Sequence, residues 1–107
     1  MKVVLLPKAL SRLDEIFDWI KTTNNENAAA RIYNLILDEL EILESQPRIA
    51  PIEPSLEDFP MQFRSLVIKK KYKAIYYIEE LINVVYVATI WDCRQNTEKL
   101  TEDIFYS

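Results

Sequence analysis

Ala9, Leu10, Leu13, Ile16, Phe17 and Ile20 recur at three- and four-residue spacing, with Arg12, Asp14, Glu15 and Asp18 set between them. That period predicts an amphipathic helix, and Pro7 suits its first turn, where a missing N–H costs nothing. Thr22-Thr23-Asn24-Asn25 is turn chemistry, and any of its last three residues can cap a second helix. Ala28, Ile32, Leu35, Ile36, Leu40 and Leu43 form the stripe of that helix, which Pro47 ends by steering Gln46 away from helical angles. So short a link makes the pair an antiparallel hairpin whose joint apolar face needs a partner layer.

Ahead of the helices, Lys2 to Leu6 is a short strand candidate. Behind them, Pro47, Pro51, Pro54 and Pro60 predict that Gln46 to Pro60 is an extended connection, either a plain surface crossover or a binding loop. From Gln62 the period changes. Gln62 to Ile68, Tyr72 to Ile78 and Ile82 to Trp91 are rich in Val, Ile and Tyr and read as strands. The polar links Lys69-Lys70-Lys71 and Glu79-Glu80-Leu81 make an antiparallel meander the economical topology.

The chain has no glycine, so tight two-residue primed turns are not expected there; longer loops, or left-handed residues such as Asn83, are. In the last run, strict alternation puts Ile82, Val84, Tyr86, Ala88 and Ile90 on one face and Val85, Val87 and Trp91 on the other. One helix hairpin covers one face only, so the tail Ile104-Phe105-Tyr106 or another polypeptide must cover the second. The first strand joins either at an edge or between two meander strands. The expected fold is α+β: an N-terminal strand and a two-helix hairpin packed on one face of a small, mainly antiparallel sheet, all in a single domain over residues 1–107.

Composition narrows the chemistry. Without glycine there is no Walker-type loop and no dinucleotide fingerprint, so no nucleotide cofactor is signalled. Without histidine the usual zinc and iron ligand sets and the Ser/Cys-His nucleophile pairs are gone, which predicts no metal and leaves Arg, Lys, Tyr, Asp and Glu for any reaction. The one cysteine, Cys93, cannot form an intramolecular disulfide, and a reducing compartment is the default. The N-terminal apolar run is too short for a signal sequence, and Leu81 to Trp91 is too short to span a membrane. The expectation is a soluble cytoplasmic protein that makes no use of a membrane.

Charge adds a location. Residues 1–60 carry six Lys/Arg against eleven Asp/Glu, whereas Met61 to Ile78 holds Arg64, Lys69, Lys70, Lys71 and Lys73 with no acid. The local potential is therefore positive on a chain of net charge −4, which points to an anion site or, equally, to a solvated lysine turn. An acidic pI near 4.8 argues against a general nucleic-acid coat.

One string is specific. Phe63-Arg64-Ser65-Leu66-Val67-Ile68, then Tyr72-Lys73-Ala74-Ile75-Tyr76-Tyr77-Ile78, then Val85 and Val87 leading to Trp91-Asp92-Cys93-Arg94-Gln95-Asn96 and Lys99-Leu100, resembles the toxins of the RelE/ParE superfamily of type II toxin–antitoxin (plasmid stabilisation) modules. The resemblance covers nearly the whole chain. It rests on the arginine opening the sheet, the Tyr-basic-x-x-Tyr pattern of the middle strand and the arginine after the last strand. It implies a cognate antitoxin as partner, and one of two activities: ribosome-dependent cleavage of mRNA, as in RelE-like members, or poisoning of DNA gyrase, as in ParE-like members.

Metal-free RNA cleavage needs a base for the 2′-hydroxyl, cations for the phosphorane and an acid for the leaving oxygen. By resemblance, Arg64, Lys73 and Arg94 are the catalytic candidates if the chain is a ribonuclease, and Arg64, Lys69, Lys70, Lys71, Lys73 and Arg94 are the candidates for antitoxin or target binding. The aromatic or histidine expected a few residues past Arg94 is absent from Asn96 to Leu100, and Tyr106 lies far along. The reading therefore leans to gyrase inhibition, with the mRNA endoribonuclease, or a degenerate toxin kept as an antitoxin-binding module, as alternatives. Tyr72, Tyr76 and Tyr77 read chiefly as sheet packing. Cys93 beside Arg94 is expected to have a lowered thiol pKa, but with no histidine and no second cysteine a redox or nucleophilic role is not expected.

Overall fold

Pro7 opens the first helix, α1 (Pro7–Thr23), and Asn25 opens the second, α2 (Glu26–Ser45), its side-chain oxygen accepting from the Ala28 N–H at 2.7 Å. The computed structural model describes residues 1–95 and 99–105. Ala9 and Leu13 of α1 and Ile36, Leu40 and Leu43 of α2 turn inward against Tyr72, Ala74, Tyr76, Val85, Val87 and Ile90, forming the main core. Phe17 and Tyr33 meet edge to face at 5.9 Å and lock the two helices together.

The sheet holds β1 (Lys2–Leu5), β2 (Arg64–Ile68), β3 (Tyr72–Glu79) and β4 (Val84–Asp92) in the order β1-β4-β3-β2. The three later strands form the expected meander. β1 lies at the edge, parallel to β4, with Val3 opposite Val85 and Leu5 opposite Val87. A short helix, α3 (Leu100–Phe105), follows the sheet.

Three expectations change. First, strict alternation in β4 fails, because Thr89 pairs with Ile75 but Val87 pairs with Tyr76, leaving Ala88 as an extra, bulged residue. Beyond the bulge the faces exchange, so Ile90 joins Val85 and Val87 under the helices while Ala88 and Trp91 share the opposite face. Second, the β2–β3 turn is tight: the Lys71 N–H donates to the Ile68 carbonyl at 3.1 Å, and Lys69 and Lys70 take φ of 54° and 59°. These are the positive angles of a primed turn, adopted by lysines because strand twist favours that hand even where no glycine is available. Asn83 is left-handed, as expected, and follows a 3₁₀ turn over Glu80–Ile82, so β4 starts later than Ile82.

Third, of the two covers expected for the second sheet face the chain itself supplies one, and the crossover, expected as a plain connection or binding loop, shares it with the tail. Leu56, Phe63, Ile75, Ala88, Trp91 and Leu100 form a second core, with Leu6, Phe59, Tyr77 and Ile104 packed around it. The Pro-rich crossover is thus a packed layer with a 3₁₀ turn at Pro54–Leu56, and an Ile52–Arg64 bridge fastens it to β2. Ile104 and Phe105 of α3 do the rest, Phe105 stacking on Phe59 at 4.5 Å; Tyr106 lies outside the described residues. The carboxylate of buried Asp103 holds α3 in place, taking bonds from Arg12 of α1 (Nε, 2.9 Å) and from the Thr89 hydroxyl (2.6 Å). Among the described residues no helix is long and apolar enough to cross a membrane.

Candidate functional site

At the turn end of the sheet, the strained β2–β3 hairpin is held to the chain leaving β4, because the Lys71 carbonyl accepts from the Cys93 N–H at 2.8 Å. This bond sets Lys69 and Lys71 beside Arg94. Asp92, the last residue of β4, orients Arg94: its carboxylate accepts from the Arg94 backbone N–H at 2.9 Å, from Nε at 3.1 and 3.2 Å and from Nη2 at 2.6 Å. Those bonds hold the Asp92 carboxyl below its ordinary range against the opposing effect of partial burial, and raise the pKa of Arg94. Tyr72 lies below, its phenol pushed up by burial and by the Asp92 charge, against an opposing pull from Arg94.

The α1–α2 corner supplies the facing wall. Trp19, 59% exposed, stands there with Thr23, Asn24 and Arg31, and together with Lys69, Lys71, Tyr72 and Arg94 they line a groove of about 390 Å³. Among the described residues four cations and no carboxylate border it. An adjoining hollow of about 270 Å³ shares Trp19, Tyr72 and Arg94 and adds Arg12, Glu15, Trp91 and Asp92, so its charges are balanced.

The structure therefore brings together only part of the predicted basic set. Lys69, Lys71 and Arg94 converge on the groove, whereas Lys70 sits on the same turn without lining it. Arg64 lies at the far end of β2, opposite Tyr76, and its Nη1 donates to the Ala50 carbonyl at 2.8 Å. Lys73 points through the other face. Its ammonium is 3.0 Å from the buried carboxylate of Glu53, which also accepts from the Ser55 N–H and hydroxyl at 3.2 and 3.0 Å. Arg64 and Lys73 stand three register positions apart, about 10 Å along the strands, on opposite faces.

The tyrosines are engaged elsewhere: Tyr76 donates to the Pro47 carbonyl at 2.7 Å, and Tyr77 packs edge to face on Phe63. Burial raises the Cys93 thiol pKa, and the guanidinium of Arg94 is turned to Asp92. Sequence reasoning missed Trp19 and Arg31. Trp19 carried a signal, being a large aromatic set off the apolar stripe of its helix. Arg31 carried none, since only the fold sets it across from the lysine turn.

Residues 3–97 match the family described as "ParE toxin of type II toxin-antitoxin system, parDE". Among solved structures, the chain is similar to one titled "Chromosomal ParDE TA system from P. aeruginosa", with a TM-score of 0.71 at 17% identity over 86% of this chain and 95% of that one. At that identity the likeness is one of fold. No curated protein matches the sequence.

Proposed function

The chain belongs to the ParE toxin family of type II toxin–antitoxin systems, and from that premise we propose that it is held inactive by a cognate antitoxin and, when released, inhibits DNA gyrase. The observation that carries the gyrase reading over mRNA cleavage is the dispersal of the three candidate catalytic cations. Arg64 is bonded to Ala50 at the far end of the sheet, whereas Lys73 and Arg94 lie at the turn end, Lys73 bonded to Glu53 beneath the other face and Arg94 to Asp92. A ribonuclease needs its cations and proton-transfer groups within reach of one phosphate, at hydrogen-bond distances of about 3 Å. Here the free positive charge lies instead in the groove at Lys69 and Lys71, which supports a surface that grips a target over one that reacts with it.

Arg64, Lys73 and the groove are also too dispersed for a small contact. An antitoxin that touched all of them would have to wrap from one sheet face to the other. The test pairs two assays. Purified chain added to gyrase and relaxed plasmid is expected to abolish supercoiling, and primer extension on cellular mRNA after induction is expected to show no codon-linked cuts. Codon-linked cleavage with supercoiling intact would overturn the reading.

A further inference from the structure

We propose that the groove between the α1–α2 corner and the β2–β3 turn binds a single nucleic-acid strand, its phosphates on Arg31, Lys69 and Lys71 and one base stacked on Trp19. This goes beyond the gyrase reading and holds whatever the target is. Among the described residues Arg31, Lys69 and Lys71 have no carboxylate within ion-pairing distance, and Arg94 is already matched to Asp92. Three cations are thus free to release counterions from a strand.

Trp19 is the second half of the argument. Its indole is 59% exposed, pairs with no other ring among the described residues, and stands on the groove wall amid the positive charge. An exposed aromatic among cations is the arrangement that holds single strands, because every base offers a face to stack. Thr23 and Asn24 on the same wall offer polar groups to base edges.

An acidic peptide would use the cations but would cover the indole only where it happened to carry an aromatic or apolar side chain, whereas every nucleotide of a strand offers a base to stack. At Tyr72 itself no strand can add, because that residue is already paired on both sides. The acidic remainder of the chain does not cancel the groove, because fields beyond about 8–10 Å are screened at physiological salt. The acidic pI still forbids a general coat, which confines binding to this one place.

The experiment titrates the purified full chain with a twelve-residue oligothymidylate, a matching oligouridylate and a duplex of the same length, reading oligonucleotide anisotropy and tryptophan fluorescence, with Trp19→Phe separating the Trp19 signal from that of Trp91. Quenching by the single strands, with the duplex weaker, is expected. Three phosphate contacts predict a log–log salt slope of about −2, or roughly an 18-fold loss of affinity between 50 and 200 mM salt. Lys69→Ala with Lys71→Ala should cut the slope to about −0.7, and Trp19→Ala should weaken binding about fivefold or more, with Trp19→Phe largely restoring it. Circular dichroism melts check that each variant is folded. Equal binding by wild type and the Arg31→Glu, Lys69→Glu, Lys71→Glu triple variant would overturn the proposal. So would tighter binding of a decaglutamate peptide than of the oligonucleotides, which would make the groove a peptide site.

Discussion

Lys73→Met is expected to destabilise the fold well before it touches any activity. Its partner Glu53 is only 2% exposed, and removal of the ammonium leaves that carboxylate with the Ser55 donors alone. Breaking a fully buried ion pair from one side costs about 3–5 kcal/mol, and an exposed pair is worth about 0–1 kcal/mol. The Lys73 side chain keeps 25% of its exposure, so the substitution belongs between these limits, at about 2 kcal/mol. With a urea m-value of about 1.5 kcal/mol per M, the unfolding midpoint at pH 7 should fall by roughly 1.3 M. Adding Glu53→Gln removes the stranded charge and should recover more than half of the loss.

The pH dependence carries the sign. Burial pushes the Glu53 carboxyl up, but the bonds from Lys73 and Ser55 outweigh it and hold the group below its ordinary 4.5. A carboxyl depressed on folding contributes stability present above its unfolded pKa and lost as pH falls through the folded one. In Lys73→Met the burial remains while its main counterweight is gone, so the carboxyl rises and protonation relieves the variant. The gap between wild type and variant should therefore narrow from pH 7 to pH 3 in urea titrations. A loss under about 0.5 kcal/mol at pH 7, or a gap that stays constant to pH 3, would refute the reasoning. The double variant Glu53→Gln, Lys73→Met also separates structure from chemistry: under the gyrase reading it still arrests growth, whereas a catalytic Lys73 predicts a folded, harmless protein.

Lys70→Gly should raise stability by up to about 1 kcal/mol by relieving a left-handed lysine, seen as a higher thermal midpoint; a lower midpoint would contradict the turn geometry. Asp103→Ala removes the acceptor shared by Arg12 and Thr89 and should cost about 2–3 kcal/mol, with hydrogen exchange accelerating first in α3. The Cys93 thiol, exposed yet with its pKa raised by partial burial, should react with a disulfide reagent at pH 7 more slowly than a free thiol; faster reaction would show that Arg94 faces it instead.

Helices, strands and their order were legible in the residues because each element carries its own period: three to four in Ala9 to Ile20, two in the runs after Gln62. The family was legible too, through Arg64, the Tyr72–Tyr76 pattern and Arg94, and so was the concentration of positive charge near the first hairpin. Three things depended on contacts that no local pattern encodes. One bulged residue, Ala88, exchanged the faces of β4. Buried Glu53, distant in sequence, claimed Lys73 from the basic cluster because a carboxylate in a packed layer is costly without a partner. The site also took its aromatic and its third free cation, Trp19 and Arg31, from the helix corner, which only the packing of helices on sheet carries to the lysine turn. Periodicity thus decided the elements, while the pairing of charges across long sequence separations decided which cations remain free to bind.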